Sequence, residues 1–148
     1  MQLFHHDRPD TRVLCRVGLD RWFSLRQLER LALHADVVEA PAGRVLSRAG
    51  SAARELLVVG RGVVEIADAP GQHGAGRRGT IVGAYELIAG VAHRATVTAR
   101  TDVTLVAIFG PAFRWEAIRS GSSLLAPVPV GDLAALWDEV RTWTVHRP

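Results

Sequence analysis

The chain has 148 residues, 48% of them hydrophobic and 22% charged, which suits one domain with a self-sufficient core. No stretch reaches the roughly 18 consecutive apolar residues of a membrane span. The opening MQLFHHDRPD lacks the apolar core of a secretory signal, and the single cysteine, Cys15, excludes an intrachain disulfide or a cysteine zinc cage. A reducing cytoplasm is the expected setting. The sequence pI is about 10.3, but this does not by itself point to nucleic acid. All 18 basic residues are arginines, the net charge is only +3, and Arg77-Arg78 is the sole adjacent pair. A lysine-free, Ala/Gly/Arg-rich composition points to a GC-rich, bacterial genome.

Residues 1–19 read as a lead-in, with His5-His6-Asp7 and Pro9 near its start. Adjacent histidines without a further ligand at helical spacing make no metal motif. The first expected helix spans about Leu25 to Ala35. Ser24 and Gln27 form a capping box, and Phe23 and Leu28 a hydrophobic staple. Leu25, Leu28, Leu31, Ala32 and Ala35 recur at helical spacing and define its apolar face.

From about 36 to 109 the texture is that of short strands broken by glycine. Val37-Val38, Val45-Leu46, Leu56 to Val59, Val63 to Ile66, Ile81-Val82, Ala95 to Ala99 and Thr104 to Phe109 are the candidates. Residues 67–79 read as a polar loop at a hairpin tip, its glycines serving turn geometry. Past Phe109 the helical pattern returns. Phe113, Ala117 and Ile118 are candidates for one helix face. After the break at Ala126-Pro127-Val128-Pro129, a last helix is expected from Asp132 to Trp143, with Leu133, Leu136, Trp137, Val140 and Trp143 on its apolar side.

The ordered set Pro41-Ala42-Gly43-Arg44-Val45-Leu46, Gly50, Glu55 to Val59 and Gly62 to Ile66 resembles the opening half of the cyclic nucleotide-binding domain family. The second half, Gly79 to Gly83, a short helix, Arg94 to Ala99 and Thr101 to Phe109, fits the same pattern. The resemblance covers roughly residues 20–140. It implies an α+β domain that is mainly β: an antiparallel jelly-roll barrel over about 36–109, with a helix before it and C-terminal helices over about 110–144.

The resemblance also implies a ligand cassette. In the family the cyclic phosphate rests against the N-terminus of a short helix, an arginine contacts a phosphate oxygen, and a glutamate after a glycine accepts from the ribose 2′-hydroxyl. By that pattern Arg94 is the phosphate arginine and Ala95, directly after it, leans the ligand towards cAMP rather than cGMP. The glutamate motif departs from the family. With Gly83 as anchor, Ala84 takes the glutamate position; with Glu86 as anchor, Tyr85 replaces the glycine. Gly83, Ala84, Tyr85, Glu86, Leu87, Arg94 and Ala95 are therefore the expected ligand-binding residues. Trp137 or Trp143 is a candidate cap for the base. Glu86 has a second explanation, as an ion-pair partner of Arg94.

Two functions follow. One is a stand-alone regulatory domain that senses cAMP and signals through its C-terminal helix to a protein partner, a helix that also offers a homodimer face. The other is a degenerate domain of the same fold, serving as an interaction or scaffold module. No catalytic arrangement, metal cluster, cofactor or membrane segment is legible. Too few residues follow Ala126 to hold both the last helix and a helix-turn-helix unit, so no DNA-binding unit is expected.

Overall fold

Apolar runs buried on both faces decide the architecture. Strand β4 (Glu55–Arg61) alternates without a polar face: Leu56 and Val58 belong to one core, Leu57 and Val59 to another. Strand β9 (Val103–Phe109) does the same, sending Val106 and Ile108 to the first core and Leu105 and Ala107 to the second. A strand with apolar residues on both faces needs a layer on each side. Here one layer is helical and the other is a second sheet.

The computed structural model describes residues 9–68 and 73–120, with the backbone of 4–7. Five strands form the first sheet, in the order β1 (Phe4–Asp7), β2 (Ala35–Ala40), β9, β4 and β7 (Ile81–Val82); four form the second, in the order β3 (Val45–Ser47), β8 (Ala95–Ala99), β5 (Val64–Asp68) and β6 (His73–Gly76). All named strand pairs are antiparallel. The expected mainly β, α+β architecture of jelly-roll type holds, built as two facing sheets with no continuous closed barrel among the described strands. Gly62 shows why glycine punctuates this region. Its φ is +94°, and a Cβ there would collide with the backbone oxygen of Asp102.

The helical layer is α1 (Thr11–Arg16), a 3-10 turn at Leu19–Arg21, α2 (Leu25–Ala32), α3 (Ala84–Ala89) and α4 (Gly110–Ser120). The Ser24–Gln27 capping box is present, with Ser24 N donating to Gln27 Oε1 at 2.8 Å. Phe23 and Leu28 are both buried, and Phe23 meets Phe113 edge-on at 6.0 Å. No helix among the described residues is long and apolar enough to cross a membrane.

Several expectations change. Residues 11–21 are core-forming, not a loose lead-in: Leu14 and Leu19 are completely buried against the sheet. The helix expected to reach Ala35 stops at Ala32, because Ala35 opens β2 and pairs with Ile108. Leu25, expected on the apolar face, is 61% exposed. Part of the 67–79 loop is strand, since β5 extends to Asp68 and His73–Gly76 pairs back on it. Ile118 is exposed while Phe113 and Ala117 are buried. The expected helix over 132–143, with Trp137 and Trp143, lies outside the described residues.

Candidate functional site

The cassette begins at Gly83, which links β7 to α3 with φ +95°; a Cβ there would lie 2.9 Å from the carbonyl oxygen of Glu55. Both the left-handed backbone and this close approach call for glycine. α3 is then capped at Gly90, also left-handed, whose N–H donates to Glu86 O at 2.8 Å. The chain returns through Val91 and Ala92 to His93, whose main chain is clamped by two bonds: its N–H donates to Ser51 O at 2.8 Å and its carbonyl accepts from Gly50 N at 2.7 Å.

The expected ligand residues are therefore brought into one neighbourhood, yet most are turned into packing. Ala84, Tyr85 and Leu87 belong to the core between the helices and the first sheet, and Ala95 to the core between the sheets. Gly83 is buried as well. Glu86 is 5% exposed, and its Oε2 lies 3.2 Å from Nδ1 of His93, itself 8% exposed. A ring with hydrogen on Nδ1 donates to this carboxylate. Arg94 is exposed, with its guanidinium carbon 5.6 Å from the centroid of the buried Tyr85 ring. Thus the residue that meets Glu86 inside the fold is His93, one position before the arginine assigned by resemblance.

Sequence reading passed over His93, although a signal was present. Ala95, Val97 and Ala99 are the inward residues of β8, and side chains alternate along a strand. Counting back by twos reaches His93 and leaves Arg94 on the other side.

Two cavities flank this contact. The first, about 920 Å³, runs along β3 and the turns on either side of it; Arg44, Ser47, Arg48, Arg54, Leu57 and His93 are among its lining residues. Glu55 also lines it. Burial, and secondarily the charge of Asp36, push its carboxyl above the ordinary value. The second is an apolar groove of about 850 Å³ between α3 and α4, which includes Glu86. Val91, Phe109, Trp115 and Ile118 line it and are all large, exposed apolar side chains. His93 faces one cavity and Glu86 the other, so their contact is part of the wall between them.

Among the described residues no group of three or more His, Cys, Asp or Glu side chains could hold a metal ion. The strand order, with a short helical cassette between β7 and β8, defines a jelly-roll domain. The chain belongs to the cyclic nucleotide-binding domain family, whose model matches residues 37–119. No curated protein sequence matches it.

Solved structures share the fold. A cyclic nucleotide-binding-like protein of Brucella abortus is 27% identical over 74% of this chain and 97% of its own, with a TM-score of 0.58. The regulatory subunit of a cAMP-independent protein kinase A from Trypanosoma brucei is 18% identical, over 88% of this chain and 44% of its own, with a TM-score of 0.67. The regulatory domain of Toxoplasma gondii protein kinase A, solved with cAMP, is 14% identical over 89% of this chain and 48% of its own, with a TM-score of 0.66. This chain thus spans less than half the length of the last two.

Proposed function

We propose that this chain is a regulatory interaction domain, not an enzyme, whose cassette is held shut by the Glu86–His93 contact and whose output surface is the groove between α3 and α4. One observation carries this reading: Glu86 lines the groove while its carboxylate is engaged by a buried histidine. A carboxylate engaged in this way is not offered to a ribose hydroxyl. Arg94, stacked over Tyr85 at the surface, is not offered to a phosphate in the cassette. The Trypanosoma brucei regulatory subunit, which shares this fold, is described as that of a cAMP-independent protein kinase A. The lysine-free composition and lone cysteine favour a bacterial cytoplasm as its setting.

The groove suits an amphipathic helix, and on its sequence alone segment 132–143 of the same chain is our candidate for that role. Its sequence carries Leu133, Leu136, Trp137, Val140 and Trp143 at helical spacing, and an amphipathic helix laid into an apolar groove is a common recognition mode. Displacement of this segment is the signal, because a partner that takes either the groove or the segment shifts the population between two states. In the full chain, Trp137→Asp is expected to raise amide hydrogen exchange across 109–118 about tenfold, while the β2–β9 ladder is unaffected. Unchanged exchange would overturn the assignment. Protection that grows with protein concentration would also overturn it, giving the groove to a second copy.

A second reading, a cAMP sensor, is favoured by membership of the family and by the cAMP complex of the Toxoplasma gondii protein. It requires Arg94 to leave Tyr85 and Glu86 to leave His93, so that both turn to the ligand.

A further inference from the structure

The cavity beside β3 has a composition that neither function above uses. Three arginines, Arg44, Arg48 and Arg54, are among its lining residues, against one carboxylate, Glu55. Among the described residues none of the three guanidinium groups has a carboxylate partner. Three like charges bordering one concavity raise the local positive potential and favour an anion there. A second observation is independent of charge. Ser47 also lines the cavity and is only 8% exposed, and among the described residues its hydroxyl oxygen has no hydrogen-bond partner. A buried hydroxyl left unpaired is destabilising by comparison with a paired one, and a ligand oxygen would pair it.

The cavity also has an apolar part. Leu46 and Leu57 belong both to its lining and to the core between the sheets. Its volume of about 920 Å³ lies within the roughly 300–1,000 Å³ range of small-molecule sites. Guanidinium groups match phosphate oxygens in geometry as well as charge.

We propose that this cavity binds a small organic phosphate, its phosphate held by Arg44, Arg48, Arg54 and the Ser47 hydroxyl, and its apolar part resting against Leu46 and Leu57. The site lies beside the cassette of Gly83 to Ala95, shares His93 with it and does not depend on a cyclic phosphate. His93 gives it a route to the groove, since the same residue lines this cavity and contacts Glu86. An occupant that touches the imidazole biases that contact and with it the wall of the groove.

The test uses the full chain in about 0.15 M salt, where long-range attraction is screened beyond roughly 8 Å. Inorganic pyrophosphate and 5′-AMP are titrated calorimetrically and by thermal shift. Both are expected to bind saturably and raise Tm. The double variant Arg44→Gln, Arg48→Gln should weaken binding by about 10- to 150-fold, and Ser47→Ala by less, while Arg94→Gln leaves binding unchanged. The unliganded Tm of each variant shows that it is folded. Absence of binding by both probes up to about 10 mM, well beyond useful affinity, would overturn the proposal. An equal loss in Arg94→Gln would also overturn it, revealing non-specific charge attraction. Either failure leaves the groove assignment standing, because that is read from exchange over 109–118.

Discussion

Among the described residues two glutamates are nearly buried and similar in exposure, 5% for Glu86 and 4% for Glu116, and they are paired differently. Glu116 meets Arg30 in a two-pronged ion pair, Nε to Oε2 and Nη2 to Oε1, each at 2.8 Å. The arginine side chain remains 49% exposed. This pair ties α2 to α4 and leaves the cation in water. Glu86 meets His93, which is buried like itself, at 3.2 Å with one ring nitrogen. That contact joins α3 to the approach to β8 and stands between two cavities. A half-solvated bidentate pair fastens two helices; a buried single contact between a helix and a strand entry sits where two cavities approach each other.

Breaking the buried contact should have the larger effect. His93→Leu leaves the Glu86 carboxylate buried without its partner, and Glu86→Leu does the same to the imidazole. Each single change is expected to cost about 1–3 kcal/mol of unfolding free energy in urea. The double change to two leucines should cost less than the sum, since apolar groups of similar shape leave no polar atom unpaired. Strict additivity would show that the two side chains do not interact.

Breaking the half-solvated pair should give a smaller effect that depends on pH. The hydrogen bonds from Arg30 hold the Glu116 carboxyl below its ordinary value, against burial, which pushes it up. A carboxyl whose folded pKa is lowered contributes stability that is fully present above the unfolded value, about 4.3. The contribution is lost as pH falls through the folded value. Urea midpoints of wild type and Arg30→Met should therefore differ most near neutrality and converge on acidification. A constant difference at all pH values would mean that Arg30 acts by packing alone.

Much of the fold was legible because it depends on local chemistry. The Ser24–Gln27 capping box, the left-handed glycines and the doubly apolar runs at 56–59 and 105–108 state their conformations outright. Residues 11–21 were not legible: a helix of six residues, Thr11–Arg16, gives little periodicity, and Leu14 and Leu19 earn their burial only once the sheet is present. Strand β6, His-Gly-Ala-Gly, lacks any β-branched or aromatic residue and forms by pairing with β5.

The neighbourhood of the site was legible and its wiring was not. The motif from Gly83 to Ala95 located the cassette, but inward and outward positions there depend on register. A one-residue step exchanges His93 for Arg94. The arginines lining the cavity beside β3 come from separate turns, Arg44 before the strand and Arg48 and Arg54 after it. Only the fold brings them to one concavity.

The most direct test of the closed cassette is a calorimetric titration of the wild-type chain with cAMP and cGMP, repeated on Arg94→Ala. The account predicts that Arg94→Ala changes nothing and that neither cyclic nucleotide binds with micromolar affinity, about −8 kcal/mol. Micromolar binding of cAMP that is lost in Arg94→Ala would contradict it. That result would mean that Arg94 leaves Tyr85 to take the phosphate and that the domain is a cyclic nucleotide sensor.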